Sequence, residues 1–172
     1  MSSENLLQFA FDAAADPKIH YEAIFDRLAR EGSIDAELFE NGPTALQICA
    51  QQNNVKAAKY LISKGAKLNN NGDIDKSSLV MAIEFDNIEV VELLIESGAD
   101  INAVDFQDLT PLGYACINGS LKSAKLLIDK GANMKYIDNN GDPILRSAFV
   151  GKNLEIMKLL IEKGANKKRR RH

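Results

Sequence analysis

Two cysteines and two histidines are the side chains of this 172-residue chain with the most specific chemistry. Cys49 and Cys116 could form a disulfide or bind zinc, and His20 and His172 could complete a metal site. Neither histidine lies near a cysteine in the sequence, and a zinc site needs more numerous ligands at closer spacing. Both cysteines lie in short apolar segments beside alanines. We therefore expect small buried residues in a reducing compartment, with no metal site and no cofactor.

Residues arranged for catalysis are also missing. The sequence contains no Ser-His-Asp arrangement and no glycine-rich phosphate loop, two patterns by which enzymes are recognised. Its carboxylates fall mostly on polar helix faces and in loops, where ion pairing or solubility explains them. We expect a non-catalytic protein and keep an enzyme only as a remote alternative.

The charge is unevenly distributed. The net charge is −3, but the five basic residues at 167–171 supply +5, which leaves −8 on the rest of the chain. An acidic body repels phosphate backbones, so we expect the folded part not to bind nucleic acid. The basic tail at 167–172 is interpreted as a solvated terminus that suits the negative end of the last helix. A nuclear-import signal or a contact with an anionic partner is the alternative.

No apolar run approaches the roughly 18 residues that a membrane span needs. The N-terminal segment carries acidic residues and no positive charge before its apolar residues, so we expect a folded helix there and not a secretory signal. We expect a soluble, monomeric protein of the cytoplasm that does not bind membranes, with the nucleus as an alternative location through the basic tail.

The elements that position these residues follow a period of 33 residues. Lysine or serine followed by Gly-Ala recurs four times at that spacing, with its glycines at Gly65, Gly98, Gly131 and Gly164. A second series keeps the same step and comprises Leu46, Leu79, Leu112 and Leu145. Two series in phase over four periods indicate an internal repeat.

Each period has the same internal order. It opens with a residue that can cap a helix, namely Thr44, Ser77 or Thr110, and Pro111 occupies a first helical position. A short apolar helix, a polar break and a second amphipathic helix follow. The Gly-Ala glycine can then end that helix with a positive φ, before a turn-rich link. Helices of about ten residues are unstable alone in water, so they must stack on their neighbours.

These features resemble the ankyrin repeat, whose period is 33 residues. The segments DLTPLGYACINGSLKSAKLLIDKGAN and SSLVMAIEFDNIEVVELLIESGADIN are close matches to its pattern. The resemblance implies an all-α fold, an ankyrin-repeat solenoid of stacked helix-turn-helix units with hairpin-like loops. It divides the chain into a divergent N-terminal capping repeat at 1–38, repeats at 39–71, 72–104, 105–137 and 138–166, and the basic tail at 167–172.

The sequence departs from the family's pattern, with Ala45 and Ser78 in place of its proline and Pro143-Ile144 in place of its Thr-Pro. The family's histidine after the Thr-Pro-Leu run is absent, and its positions hold Gln47, Val80, Gly113 and Arg146. In the family that histidine ties a helix start to the neighbouring loop, so we expect lower stability than in consensus arrays. Asn102 resembles the asparagines that are hydroxylated in some ankyrin proteins, although we expect its role to be structural.

The resemblance implies a module that binds another protein, acting as a scaffold, an adaptor or an inhibitor. Loop tips and first helices line the concave binding surface of the family. Four large apolar residues are expected to point outward there, and such groups favour burial against a partner: Phe85, Phe106, Leu109 and Ile117. We predict a binding site centred on them, with Met81, Glu84 and Asn118 beside it. The alternative is that Phe85 and Ile117 fold back against neighbouring helices.

A second hypothesis is a structural or regulatory subunit of a larger assembly. Solenoids need a polar outer cap, whereas the last repeat is nearly as apolar as an internal one, with Phe149, Ile156, Met157 and Leu160. This repeat would then contact the assembly.

Overall fold

The structure, a computed structural model, describes residues 3–38, 40, 42–69 and 76–165. The basic tail at 167–172 and His172 within it lie outside the described residues. The described residues form ten α-helices and, apart from two isolated β-bridges, no strand. The helices are α1 (Ser3–Ala15), α2 (Glu22–Arg30), α3 (Ala45–Gln51), α4 (Val55–Ser63), α5 (Ser78–Glu84), α6 (Ile88–Glu96), α7 (Pro111–Asn118), α8 (Leu121–Asp129), α9 (Ile144–Val150) and α10 (Leu154–Glu162). The all-α prediction is confirmed.

The helices fall into two compact units, Met1–Asp100 and Ile101–His172. In the first unit, α1 packs against α2 and α3, α3 packs against α4 and α5, and α4 packs against α6. In the second unit, α7 packs against α8 and α9, and α10 packs against α8 and α9. Within each unit, therefore, first helices stack on first helices and second helices on second helices.

The first helices begin at the caps that the sequence predicted. The hydroxyl oxygens of Thr44, Ser77 and Thr110 each accept a hydrogen bond from the main-chain N–H three residues further on. Such a bond satisfies one of the orphan amides of a first turn. Pro111 occupies the first position of α7, where its missing N–H leaves no hydrogen bond unmade.

The predicted helix ends are also present. The glycines of the four Gly-Ala pairs all have a left-handed backbone, with φ between 91° and 96°, and they follow the second helices. The turn between the two helices of a pair is left-handed as well, which the sequence did not lead us to expect. The left-handed residue is Asn53, Asp86, Gly119 and Lys152 in the four successive pairs from α3 and α4 onward, and only one of these is a glycine.

Asparagine side chains tie successive helix pairs together within each unit. Asn54 donates to the carbonyl oxygens of Ala13 and Ala14 at the end of α1. At equivalent positions, Asn87 and Asn153 donate to the last carbonyls of α3 and α7, respectively. These bonds satisfy carbonyls that a helix end leaves unpaired. In these bonds α1 occupies the place that α3 and α7 occupy, and the capping repeat at 1–38 stays a prediction.

Candidate protein-binding surface

The link that precedes α7 is closed on itself around Asp105. One carboxylate oxygen of Asp105 accepts hydrogen bonds from the main-chain N–H groups of Gln107 and Leu109, each at 2.9 Å. The Asp105 N–H donates in turn to the Leu109 carbonyl oxygen at 3.1 Å. Phe106 lies inside this closed turn, so its backbone is held at the tip of the loop. Asx turns of this kind favour one loop conformation over many.

The next link of the same unit repeats the arrangement around Asp138. Its carboxylate accepts from the N–H groups of Asn140 and Asp142 at 2.9 and 2.8 Å, and its own N–H donates to the Asp142 carbonyl oxygen at 3.0 Å. An isolated β-bridge joins Ile137 to Pro143 beside it. The two links therefore share one hydrogen-bonding pattern, one period apart.

Asp108 joins the two links to each other. Its carboxylate accepts a 2.6 Å hydrogen bond from the Tyr136 hydroxyl and a second from the main-chain N–H of Asn139. The hydrogen bond to Asp108 raises the pKa of Tyr136 to about 12, with burial as the next cause. Asn102 adds a further tie, since its side-chain oxygen accepts from the Asn133 N–H at 2.8 Å. This bond gives Asn102 the structural role that we expected.

Three exposed apolar side chains lie on these two links, and we call them the loop-tip patch: Val104, Phe106 and Ile137. Phe106 has 70% of its surface exposed. The sequence analysis identified Phe106 but missed Val104 and Ile137. The repeat could have predicted this pair, because Val104 and Ile137 are 33 positions apart and so occupy the same place in consecutive links.

The other predicted residues of this unit are less exposed. Leu109 and Ile117 are partly buried, whereas Asn118, the last residue of α7, is exposed. Leu109 is fixed by its hydrogen bonds to Asp105, and Ile117 lies one residue after the buried Cys116.

Three predicted residues lie in the first unit. Phe85 is 51% exposed where α5 ends, so it does not fold back completely into the helix stack. Glu84 is partly buried and forms a 2.7 Å ion pair with Lys76. Met81 corrects the prediction, since only 9% of its surface is exposed. It lies one turn of α5 before Phe85 on the buried side, where it packs in the core and cannot contact a partner. The prediction that the other six residues form one surface stays a prediction.

The last helix pair exposes apolar side chains, although not all of those predicted. Ile156 and Leu160 are buried in the core, so these two apolar residues serve packing within the unit. Phe149 is 68% exposed, and Met157 is partly exposed. Further exposed apolar residues of this pair are Val150, Leu154 and Ile161.

The cysteines are buried, as predicted. Burial raises the pKa of Cys116 to about 12 and also raises that of Cys49. Both thiols therefore stay protonated near neutral pH, where they are poor nucleophiles and poor metal ligands. The part of the chain that the structure describes contains no cluster of three or more histidine, cysteine or acidic residues able to hold a metal ion. His20 is exposed.

None of the helices over the described ranges is both long and apolar enough to cross a membrane.

The comparison with curated proteins gave no match. A family model described as "Ankyrin repeats (3 copies)" matches residues 11–105 and, in a second match, residues 79–171. Ankyrin repeats are protein–protein interaction modules, and proteins built from them are typically non-catalytic. The matches cover most of the sequence and agree with the helix pairs and the 33-residue period, so the chain belongs to the ankyrin-repeat family.

Proposed function

We propose that this protein is a non-catalytic binding module, a scaffold, adaptor or inhibitor, that holds its partner protein through the loop-tip patch. The observation that carries this proposal is the exposure of Phe106 on a loop whose backbone is closed by Asp105. A large aromatic side chain left in water favours burial against another molecule. Aromatic anchors of this kind commonly dominate the energy of protein interfaces.

The hydrogen bonds of the two links support binding by making the patch rigid. Ordering flexible loops on association costs free energy, and a preformed loop avoids much of that cost. Asp105, Asp138 and Asp108 fix the two turns and join them. The three side chains of the patch therefore project from loops that need little rearrangement to meet a partner.

A protein partner fits this surface better than a small molecule. The pocket between the two links, lined by Leu109, Tyr136 and Ile144 among others, has about 230 Å³ of empty volume even with open solvent included. Sites for small molecules usually enclose about 300–1,000 Å³. The apolar residues are moreover at loop tips and do not converge on a cavity.

Phe85, with Glu84 beside it, is a second contact that we propose in the first unit. Its exposed ring follows the last turn of α5, while Lys76 holds Glu84 in place. This contact is tested separately from the loop-tip patch, with a Phe85→Ala variant.

The cytoplasmic location, and nuclear import through the tail at 167–172, stay predictions.

Affinity capture from a native cell lysate tests the function, with the full chain as bait. We expect wild type to retain a partner protein that Phe106→Ala and Ile137→Ala variants lose. Phe149→Ala is the matched control, because Phe149 is as exposed as Phe106 but belongs to the last helix pair. All variants should unfold at the wild-type temperature. If the Phe106 and Ile137 variants stay folded and retain every protein that wild type retains, the loop-tip patch is not the binding site.

A further inference from the structure

Aspartates alternate with the apolar residues of the loop-tip patch. Asp105 stands between Val104 and Phe106 in the sequence, and Asp138 directly follows Ile137. Both aspartates are partly exposed, and the three apolar residues are exposed. Acidic and apolar groups are therefore presented together on the same two links.

The hydrogen bonds of these carboxylates leave their charge uncompensated. Asp105 and Asp138 accept from main-chain N–H groups, and Asp105 also accepts from the Tyr114 hydroxyl. Asp108, which joins the two links, accepts from the Tyr136 hydroxyl and from one main-chain N–H. All of these donors are neutral, and no lysine or arginine within the described ranges forms an ion pair with any of the three aspartates. Since a carboxylate has about four acceptor sites, each of them can still accept from a cation.

The two links and the first helices of this unit carry a net negative charge. In residues 101–118 and 133–151 the acidic residues are these three aspartates and Asp142, and the basic residues are Lys135 and Arg146. The net charge of these segments is therefore −2. Because Arg146 is already paired with Asp142 at 2.6 Å, Lys135 is the one basic residue of these segments left to balance three aspartates.

The rest of the unit has the opposite sign. Residues 119–132 and 152–165, which contain α8 and α10, carry six lysines and three acidic residues, a net charge of +3. The tail adds five basic residues at 167–171, outside the described residues. The unit as a whole is thus basic, and its negative charge is concentrated on the segments that carry the loop-tip patch. A surface of this kind selects partners by charge as well as by shape.

We propose that the segment bound by the loop-tip patch is basic and apolar, with lysine or arginine side chains flanking a large apolar group. The apolar group covers Phe106 and Ile137, and the cations meet Asp105, Asp108 and Asp138. Exposed ion pairs add little affinity each, but complementary charge speeds association and disfavours acidic competitors. This inference rests on the proposed function, because it names the kind of partner that the same patch binds.

Selection from a phage-displayed library of random dodecapeptides tests the chemistry of the partner. The bait is the full chain with its five basic residues at 167–171 changed to glutamine, so that the tail neither captures acidic peptides nor competes for the aspartates. We expect selected peptides that combine lysine or arginine with large apolar residues and that do not bind a Phe106→Ala variant of the bait. If the peptides that depend on Phe106 are neutral or acidic, the inferred chemistry is wrong while the patch remains the binding site. If no selected peptide depends on Phe106, the inference and the proposed function both fail.

Two double variants of the bait separate the local charge from the net charge of the chain. Asp105→Asn with Asp138→Asn removes two negative charges and keeps a side-chain oxygen that can close each turn. Glu155→Gln with Glu162→Gln is the matched control, since it makes the same change at exposed positions of α10. Fluorescence anisotropy of a selected peptide at low salt should show about 3- to 10-fold weaker binding for the aspartate variant and no change for the control. If the two folded variants bind equally, the aspartates do not select the partner and the proposal is wrong.

The wild-type chain then distinguishes a separate partner from the chain's own tail. A tethered tail would compete at a high effective concentration if it occupied the aspartates. We expect wild type to bind the selected peptides nearly as tightly as the bait does. Binding at least about tenfold weaker would show that the basic residues at 167–171 occupy the patch in the same molecule, and a basic partner would be ruled out as its occupant.

Discussion

The side-chain nitrogen of Gln47 donates a 2.6 Å hydrogen bond to the main-chain carbonyl oxygen of Lys76, in the link that leads to α5. The side-chain oxygen of Gln47 accepts from the Thr44 N–H at 2.7 Å, within the capping box that starts α3. Gln47 is completely buried. This one side chain thus connects a helix start to the following link, the role that the resemblance gives to the missing histidine.

Replacing Gln47 with leucine should destabilise the protein by about 2–4 kcal/mol, because it leaves the buried Thr44 N–H and Lys76 carbonyl without this partner. Gln47→His is the matched control and should lose less, since imidazole can both accept and donate. Urea unfolding of the two variants measures the difference. An unchanged urea midpoint for the leucine variant would show that the tie contributes little.

A second prediction concerns two glycines of one unit, Gly113 in α7 and Gly151 in the turn that follows α9. A Cβ atom at Gly151 would lie 2.4 Å from the Ile117 carbonyl oxygen, whereas a Cβ at Gly113 would have no neighbour closer than 3.5 Å. Gly151→Ala should therefore destabilise the protein by about 1–3 kcal/mol through overpacking. Gly113→Ala should be neutral or stabilising by up to about 1 kcal/mol, because alanine favours a helix. Thermal unfolding compares the two, and a similar loss in both variants would contradict the prediction.

These examples show how far the sequence predicted the fold. Caps and helix ends follow local rules, so Thr44, Pro111 and the Gly-Ala glycines were predictable from residue type and period. The left-handed turn at Lys152 was not, because lysine does not favour a positive φ and the repeat geometry imposes it. It was harder still to predict which apolar residues are buried. Met81 and Phe85 lie one helical turn apart with opposite exposure, and the sequence treated both as surface residues.

The Cys116 thiol makes the stability of the protein sensitive to alkaline pH. Burial raises its pKa from 9.0 to about 12 in the folded state, so the thiol ionises first in the unfolded chain. Its contribution is complete below pH 9 and is lost as the pH rises through the folded value of about 12. We expect the free energy of unfolding to fall as the pH rises from about 9 towards 12, and to fall less in a Cys116→Ala variant, as urea titrations can measure. A fall of equal size in both proteins would assign the effect to other groups, such as Tyr136, whose pKa is also raised.

A variant of Asp108 tests whether binding depends on the structure of the two loops. An Asp108→Asn variant removes the negative charge that two donors share, while asparagine still tolerates the left-handed backbone with φ 63° at this position. The pKa of Tyr136 should then fall from about 12 towards its ordinary value of 10.0, because the hydrogen bond to the carboxylate is its largest cause. An absorbance titration of the tyrosines follows this change. With the two links less firmly joined, capture of the partner should also weaken while the unfolding temperature stays close to that of wild type. If the Tyr136 pKa falls but capture is unchanged, rigid joining of the links is not needed for binding. If neither changes, the Asp108–Tyr136 hydrogen bond does not hold the loops in solution.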